Sequence, residues 1–215
     1  MVETAVAGVS VEGRPLEIQT LGTGAETVMV LASIHGNEPA GTPLVGALVA
    51  ELDRDSSPLQ GLRLVIVPVV NPDGLARGER LNANGVDLNR NFPSTNRGTR
   101  ERFGAEGLSE PESATIFRLL EDYRPARIVS IHQPLACVDW DGPALALAKA
   151  MAARCELPLR RLGSRPGSLG SYAGMDLKIP IVTLELRPGD EQLAPEALWD
   201  LYGGALMAFV TFDGG

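Results

Sequence analysis

Four stretches of the chain, residues 28–34, 62–70, 126–131 and 179–186, are near-continuous apolar runs rich in β-branched side chains and closed by turn-forming residues. Runs of that length without alternation fit strands covered on both faces. Between them, residues 39–52, 110–123, 144–155 and 195–209 read as helices, and Ser109 with Glu112 gives the second of these the S-x-x-E spacing of a capping box. Strand and helix alternate, so the predicted fold class is α/β, a mixed, largely parallel central β-sheet with helices on both faces. Such sheets take their ligands at the carboxyl ends of the strands.

The first twenty residues follow a different rhythm. Val9, Val11, Leu16, Ile18 and Leu21 are spaced around Glu12-Gly13-Arg14-Pro15, which predicts an antiparallel hairpin added to the sheet. Residues 71–107 show no apolar period, are rich in Gly, Asn and Arg, and exceed the usual length of a connection. Loops that long are functional or disordered. No repeat or linker interrupts the pattern, and residues 1–215 read as a single domain.

Composition narrows the function classes. Hydrophobic residues make up 44% and charged residues 21%, the balance of a globular protein and not of a disordered one. A net charge of −8 argues against nucleic acid or an anionic membrane as partner, so any anion must be bound locally. The N-terminus has no basic, apolar leader pattern, and no run reaches the roughly 20 apolar residues of a membrane span. A cytoplasmic location is expected. Cys137 and Cys155 suit that compartment as small buried thiols, too few for a disulfide framework.

The chain has only two histidines, and each follows a predicted strand in the same setting, Ser33-Ile34-His35 and Ser130-Ile131-His132. Glu38 comes three residues after the first, at the start of a predicted helix. Two imidazoles and a carboxylate at one sheet edge form a familiar zinc set with a fourth position left for water. Glu185 ends the apolar run Ile181-Val182-Thr183-Leu184, where a solvated salt bridge is a poor explanation for it. A carboxylate there can serve as the base that takes a proton from water.

Taken in order, His35-Gly36-Asn37-Glu38, Asn71-Pro72-Asp73-Gly74, residues 85–92 (G-V-D-L-N-R-N-F), His132 and Glu185-Leu186-Arg187 resemble the zinc metallocarboxypeptidases of the carboxypeptidase A type. Later segments, His132-Gln133-Pro134 and Pro166-Gly167-Ser168 among them, look most like the murein tripeptide amidase branch. The resemblance implies a zinc carboxypeptidase-like three-layer fold and one zinc ion on His35, Glu38 and His132. Glu185 would be general base and acid, and Arg80 the group that polarises the scissile carbonyl. It further implies that Asn89 and Arg90 grip the substrate carboxylate and that Asp87 accepts the outer ring N–H of His35.

The implied substrate is a small peptide with a free carboxylate. The implied reaction is hydrolysis of the amide bond beside that carboxylate, the γ-D-glutamyl to meso-diaminopimelate bond of murein tripeptide in cell-wall recycling. The chain departs from the digestive enzymes in lacking their long insertions and their substrate-contacting tyrosine, since residues 156–170 contain none. Two rivals stand beside this reading. One is an N-acyl amino acid deacylase of the aspartoacylase or succinylglutamate desuccinylase type, and the other is a non-catalytic peptide-binding module on the same fold. The segment Val138-Asp139-Trp140-Asp141 reads as an exposed turn, although either aspartate could meet the ammonium of the second diaminopimelate centre.

Overall fold

A computed structural model describes residues 1–214. Seven strands form one sheet: β1 (Glu3–Val9), β2 (Pro15–Leu21), β3 (Glu26–Ala32), β4 (Leu62–Val67), β5 (Arg127–His132), β6 (Cys137–Asp141) and β7 (Ile181–Glu185). Their spatial order is β1-β2-β4-β3-β5-β7-β6. The four central strands β4, β3, β5 and β7 run parallel, and β1, β2 and β6 are antiparallel to their neighbours. The expected mixed, largely parallel sheet and its added N-terminal hairpin are both present.

Strand alternation divides the side chains between two layers. Val28, Val30, Val129, Ile131, Val182 and Leu184 face α1 (Gly41–Arg54), α4 (Leu145–Ala152) and α5 (Pro195–Val210), where Leu44, Leu48, Leu147, Leu198, Tyr202 and Phe209 complete an apolar core. Met29, Leu31, Val65, Ile128 and Ile181 face the other way and pack on Ile116, Leu119 and Leu120 of α3 (Pro111–Tyr123). At the carboxyl ends of β5 and β7 this second layer turns polar.

The capping box does not form. Glu110 occupies the N-cap of α3, and the Glu112 carboxylate instead accepts the Val11 N–H and the Asn82 amide from distant loops. Long-range partners have taken the group that the local pattern assigned to the helix. Residues 71–107 are similarly more ordered than their composition suggests. They contain α2 (Pro72–Arg77), capped by the Asn71 side chain, and 3₁₀ turns at Leu88–Arg90 and Glu101–Phe103. The Asn91 amide donates to Phe103 O, Glu106 O and Ser109 Oγ, while its oxygen accepts from Glu110 N and Ser113 Oγ. One buried side chain thus ties the loop to the head of α3.

The largest difference from the sequence reading is β6. Residues expected as an exposed turn form the edge strand of the sheet, with Cys137, Val138, Asp139 and Asp141 all buried. A π-helical segment, Gly170–Asp176, packs against it.

Candidate active site

The site is built where strands end. His132 is the last residue of β5 and pairs in register with Glu185, the last residue of β7, so the ladder itself sets the two side by side. Because side chains alternate, Ser130 and His132 share the face opposite Val129 and Ile131. Past the end of β3, Ser33 adopts a left-handed backbone (φ 50°), and its hydroxyl is within hydrogen-bond distance of Thr42 Oγ1 (2.8 Å) and of the Glu38 carbonyl. A non-glycine residue in that region costs about 1–2 kcal/mol, which the local hydrogen bonds help to offset. The turn aims His35 back over the sheet.

Two glycines make the next contact possible. A Cβ placed on Gly36 would lie 2.0 Å from the carbonyl carbon of Gly74, so the turn after His35 and the first turn of α2 touch backbone to backbone. The two motifs that stand far apart in sequence are here one packed unit. Asp73, beside them and fully buried, accepts from Ser10 Oγ, the Glu12 N–H and Arg14, which fixes the N-terminal hairpin to the same unit.

His35, Glu38 and His132 meet, with one donor atom from each lying within 4.8 Å of the others, and all three are buried. Both imidazoles present Nδ1 to the same carboxylate, His35 at 2.8 Å from Glu38 Oε1 and His132 at 2.9 Å from Oε2. The outer nitrogens are held as well, His35 Nε2 by Asp87 Oδ1 (3.1 Å) and His132 Nε2 by Ser130 Oγ (3.1 Å). Glu38 Oε2 accepts the Gln133 N–H in addition.

His35 therefore stands between two carboxylates, neither of which has a proton to give when ionised. Its ring must then carry hydrogen on both nitrogens, or a cation must occupy the space between Nδ1 and Glu38. The titration tendencies agree. Burial opposes charge on His35, yet the bonds to Asp87 and Glu38 outweigh it and raise its pKa. Burial likewise opposes ionisation of Glu38 and Asp87, yet their imidazole partners hold both well below the usual carboxylate range. A donor set of two nitrogens and a carboxylate, with the outer nitrogen of His35 fixed by a carboxylate, fits a divalent metal of the zinc type.

The remaining predicted residues surround this cluster. Arg80 donates from Nε to Asp87 Oδ2 and from Nη1 to Glu38 Oε1, both at 3.2 Å, and its Nη2 has no hydrogen bond among the described residues. Asp87 caps the turn Leu88–Arg90 by accepting the Asn89 N–H. The Asn89 side-chain oxygen accepts from Leu169 N (2.9 Å). Arg90 is half-buried beside it, and burial lowers the pKa of its guanidinium. Glu185 is buried, accepts only from the Leu135 N–H among the described residues, and burial raises its pKa. Cys137, opposite it on β6, is pushed up to about 11 by burial and by the Glu185 charge, and stays a thiol.

All of these except Asp87 and Cys137 line a cleft of about 690 Å³ that also takes in Arg100, Arg102, Arg165, Asp139, Asp141 and Thr183. Five arginines open on it in a protein of net charge −8, a local reversal suited to anionic ligands. Sequence reading missed Ser130 and the Gln133 N–H, which complete the hydrogen bonds of His132 and Glu38. Ser130 was within reach, since it lies two residues from His132 on one strand face. The Gln133 contact, made by a backbone N–H, carries no side-chain signature.

The zinc carboxypeptidase family profile matches residues 1–136. Murein peptide amidase A of Escherichia coli (strain K12) is 35% identical over 189 residues, which are 80% of this chain and 75% of that relative. The Vibrio campbellii murein peptide amidase A is 31% identical over 218 residues, 91% of this chain and 84% of the relative. Among solved structures, the murein-tripeptide amidase of Escherichia coli O157 superposes with a TM-score of 0.77 at 30% identity, covering 97% of this chain and 92% of that one. The carboxypeptidase A of Helicoverpa armigera superposes at 0.84 over all of this chain and 70% of its own, with 20% identity, a likeness of fold.

Fold, donor set and matches define the class: the chain belongs to the zinc carboxypeptidase family. It is a hydrolase of that family, similar to the murein peptide amidases. Among the described residues no helix is long and apolar enough to cross a membrane.

Proposed function

We propose that the protein is a zinc-dependent amidase that hydrolyses the amide bond next to a free carboxylate, namely the γ-D-glutamyl to meso-diaminopimelate bond of murein tripeptide. The observation that carries this reading is His35 clamped between Glu38 and Asp87, beside His132, at the head of a cleft lined by Glu185 and five arginines. Similarity to murein peptide amidases over most of the chain supports the choice of substrate.

His35, Glu38 and His132 would hold the single zinc ion, with Asp87 accepting the Nε2–H of His35 and so fixing its tautomer. Zinc, when bound, supplies a Lewis acid that polarises a carbonyl and acidifies water. Glu185 takes a proton from the attacking water and returns it to the departing amide nitrogen. Its second oxygen makes no hydrogen bond among the described residues and is available for both steps. Arg80 stabilises charge as it grows on the carbonyl oxygen, through the Nη2 that its two ion pairs leave unused.

The Asn89 amide nitrogen and the Arg90 guanidinium take the carboxylate beside the scissile bond. Leu169 occupies the Asn89 oxygen, which turns the donor end of that amide to the ligand. Residues 1–215 act as one catalytic unit, and the two free thiols suit a cytoplasmic site of action.

The test is digestion of L-Ala-γ-D-Glu-meso-diaminopimelate by the purified protein with and without a chelator, read by mass. Release of diaminopimelate that stops on chelation and returns with zinc is expected. N-acetylaspartate and N-succinylglutamate in parallel test the deacylase reading, and cleavage of either in preference to the tripeptide would replace the proposal. Metal content without turnover of any of the three would favour a peptide-binding module.

A further inference from the structure

From Arg77 to Gly85 the chain runs along the surface, and Asn82, 2% exposed, is the residue it buries. The Asn82 side chain makes four hydrogen bonds in a single orientation. Its oxygen accepts the N–H groups of Asn84 (3.1 Å) and Val86 (3.0 Å), and its nitrogen donates to Oε2 of Glu110 (2.7 Å) and Oε2 of Glu112 (3.2 Å). Reversing the amide would set its oxygen against both carboxylates, so the partners fix which end faces which. The 82–86 turn also closes on itself, with Asn82 N donating to Val86 O and Gly85 N to Asn82 O.

The acceptors are fixed in their turn. Glu110 and Glu112 stand at the N-cap and in the first turn of α3, and both are buried. Glu110 Oε1 accepts the Ser109 hydroxyl, and Glu112 Oε1 accepts the Val11 N–H (3.1 Å) from the N-terminal hairpin. Burial raises the pKa of Glu112, and the hydrogen bonds from its own N–H, from Val11 and from Asn82 oppose that rise. Buried acids are costly to keep, and Asn82 is a donor shared by two of them. A side chain that only closed its own turn would not require such partners.

Two residues before Asn82 stands Arg80. Its side chain is 40% exposed, and its ion pairs with Glu38 and Asp87 are both 3.2 Å long. Ion pairs that open to solvent contribute little, so these two do not by themselves fix the guanidinium. The backbone beneath it is held instead. On one side Asn71 Nδ2 donates to Arg80 O (3.4 Å), and a Cβ on Gly74 would lie 2.7 Å from Leu81 O. On the other side the anchor is Asn82. Asp87 has anchors of its own, since its N–H donates to Arg102 O (2.8 Å) and its carboxylate accepts the Asn89 N–H.

We propose that Asn82 is a positioning residue, which through its grip on Glu110 and Glu112 holds Arg80 at the reacting carbonyl. The proposal rests on the amidase reading and adds the side chain that keeps the polarising group in place. Charge stabilisation depends on a donor already aimed at where charge grows, so a guanidinium free to swing loses effect without losing its own charge. A purely structural Asn82 would lower activity by the same factor whether or not Arg80 is present. A positioning Asn82 loses its effect once Arg80 is gone.

The experiment is a double-mutant cycle on the zinc-loaded protein with murein tripeptide, using Asn82→Ala, Arg80→Ala and the pair, each corrected for folded fraction. Asn82→Ala should lower kcat at least tenfold with KM changed less than threefold. In the Arg80→Ala background the same substitution should cost no more than about twofold. A ratio between the two losses below threefold overturns the proposal. Zinc affinity should stay within threefold of wild type, and a tenfold loss would move the effect to Asp87 and overturn the assignment to Arg80. If Asn82→Ala does not fold, Asn82→Ser, whose hydroxyl can still reach one partner, takes its place under the same threefold criterion. If wild type leaves the tripeptide intact, the amidase reading fails separately, and labelling of Arg80 by phenylglyoxal, read by peptide mass, decides the hold on this side chain. Labelling at least threefold faster in the Asn82 variant, with the exposed Arg54 unchanged as reference, supports it, and any smaller change overturns it.

Discussion

Strands β5 and β7 carry two surfaces on the same backbone. On one side Val129, Ile131, Val182 and Leu184 are at most 1% exposed and pack into the apolar layer beneath α1 and α5. On the other, at the same ladder positions shifted by one residue, stand Ser130, His132, Thr183 and Glu185. The apolar side holds the strands where they are and can change in shape while volume is kept. The polar side depends on distances of about 3 Å between particular atoms. Stability and chemistry are thus separated by side-chain direction and not by distance along the chain, and the two sides should respond to substitution in opposite ways.

The sharpest contrast is expected at Glu185. Changing it to Gln should lower kcat on the tripeptide by about 10²- to 10⁴-fold with metal content unchanged, and a variant retaining more than a tenth of the rate would remove Glu185 from the role of base. Ile131→Ala tests the other side: thermal or denaturant unfolding should show a loss of about 2–5 kcal/mol, while kcat per folded molecule stays close to wild type. If Ile131→Ala instead abolished turnover in a fully folded sample, the two surfaces would not be separable. Asp87→Asn should weaken zinc affinity about 10- to 100-fold in competition with a chromogenic chelator, because the amide oxygen left to accept the outer ring N–H of His35 no longer carries the charge that raises the basicity of the ring.

The smallest effect concerns pH. Burial raises the pKa of Glu185 in the fold above its ordinary 4.5, so the ionised group opposes folding at neutral pH, and that cost disappears once both states are protonated. In metal-free protein, Glu185→Gln should therefore be slightly more stable than wild type at pH 7. The advantage should fade as pH falls from the raised folded value to below 4.5. A variant equally or less stable at neutral pH would show that this carboxylate is better solvated than its surroundings indicate.

The same division governs how much could be seen in the sequence. Strands β3, β4, β5 and β7 are legible because their cores are near-continuous apolar runs, and the meeting of His35, Glu38 and His132 followed from two histidines placed at strand ends. The strand β6 is not legible. Alternation in Cys137-Val138-Asp139-Trp140-Asp141 puts acids on a face that is buried by the cleft and its loops, and buried acids look like solvent-facing ones when only residue type is read. Glu112 shows the complementary error, a local capping pattern overridden by Asn82 and Val11 from loops that sequence distance hides. What composition cannot signal in both cases is the tertiary partner.

The pairing of His132 with Glu185 across β5 and β7 has a consequence for how this molecule can vary. Side chains alternate along a strand, so moving β7 by a single residue against β5 would withdraw the carboxylate from the cleft and present Leu184 or Leu186 in its place. On the proposed role of Glu185, a change of one residue in length inside β7 is therefore expected to abolish hydrolysis at a single step.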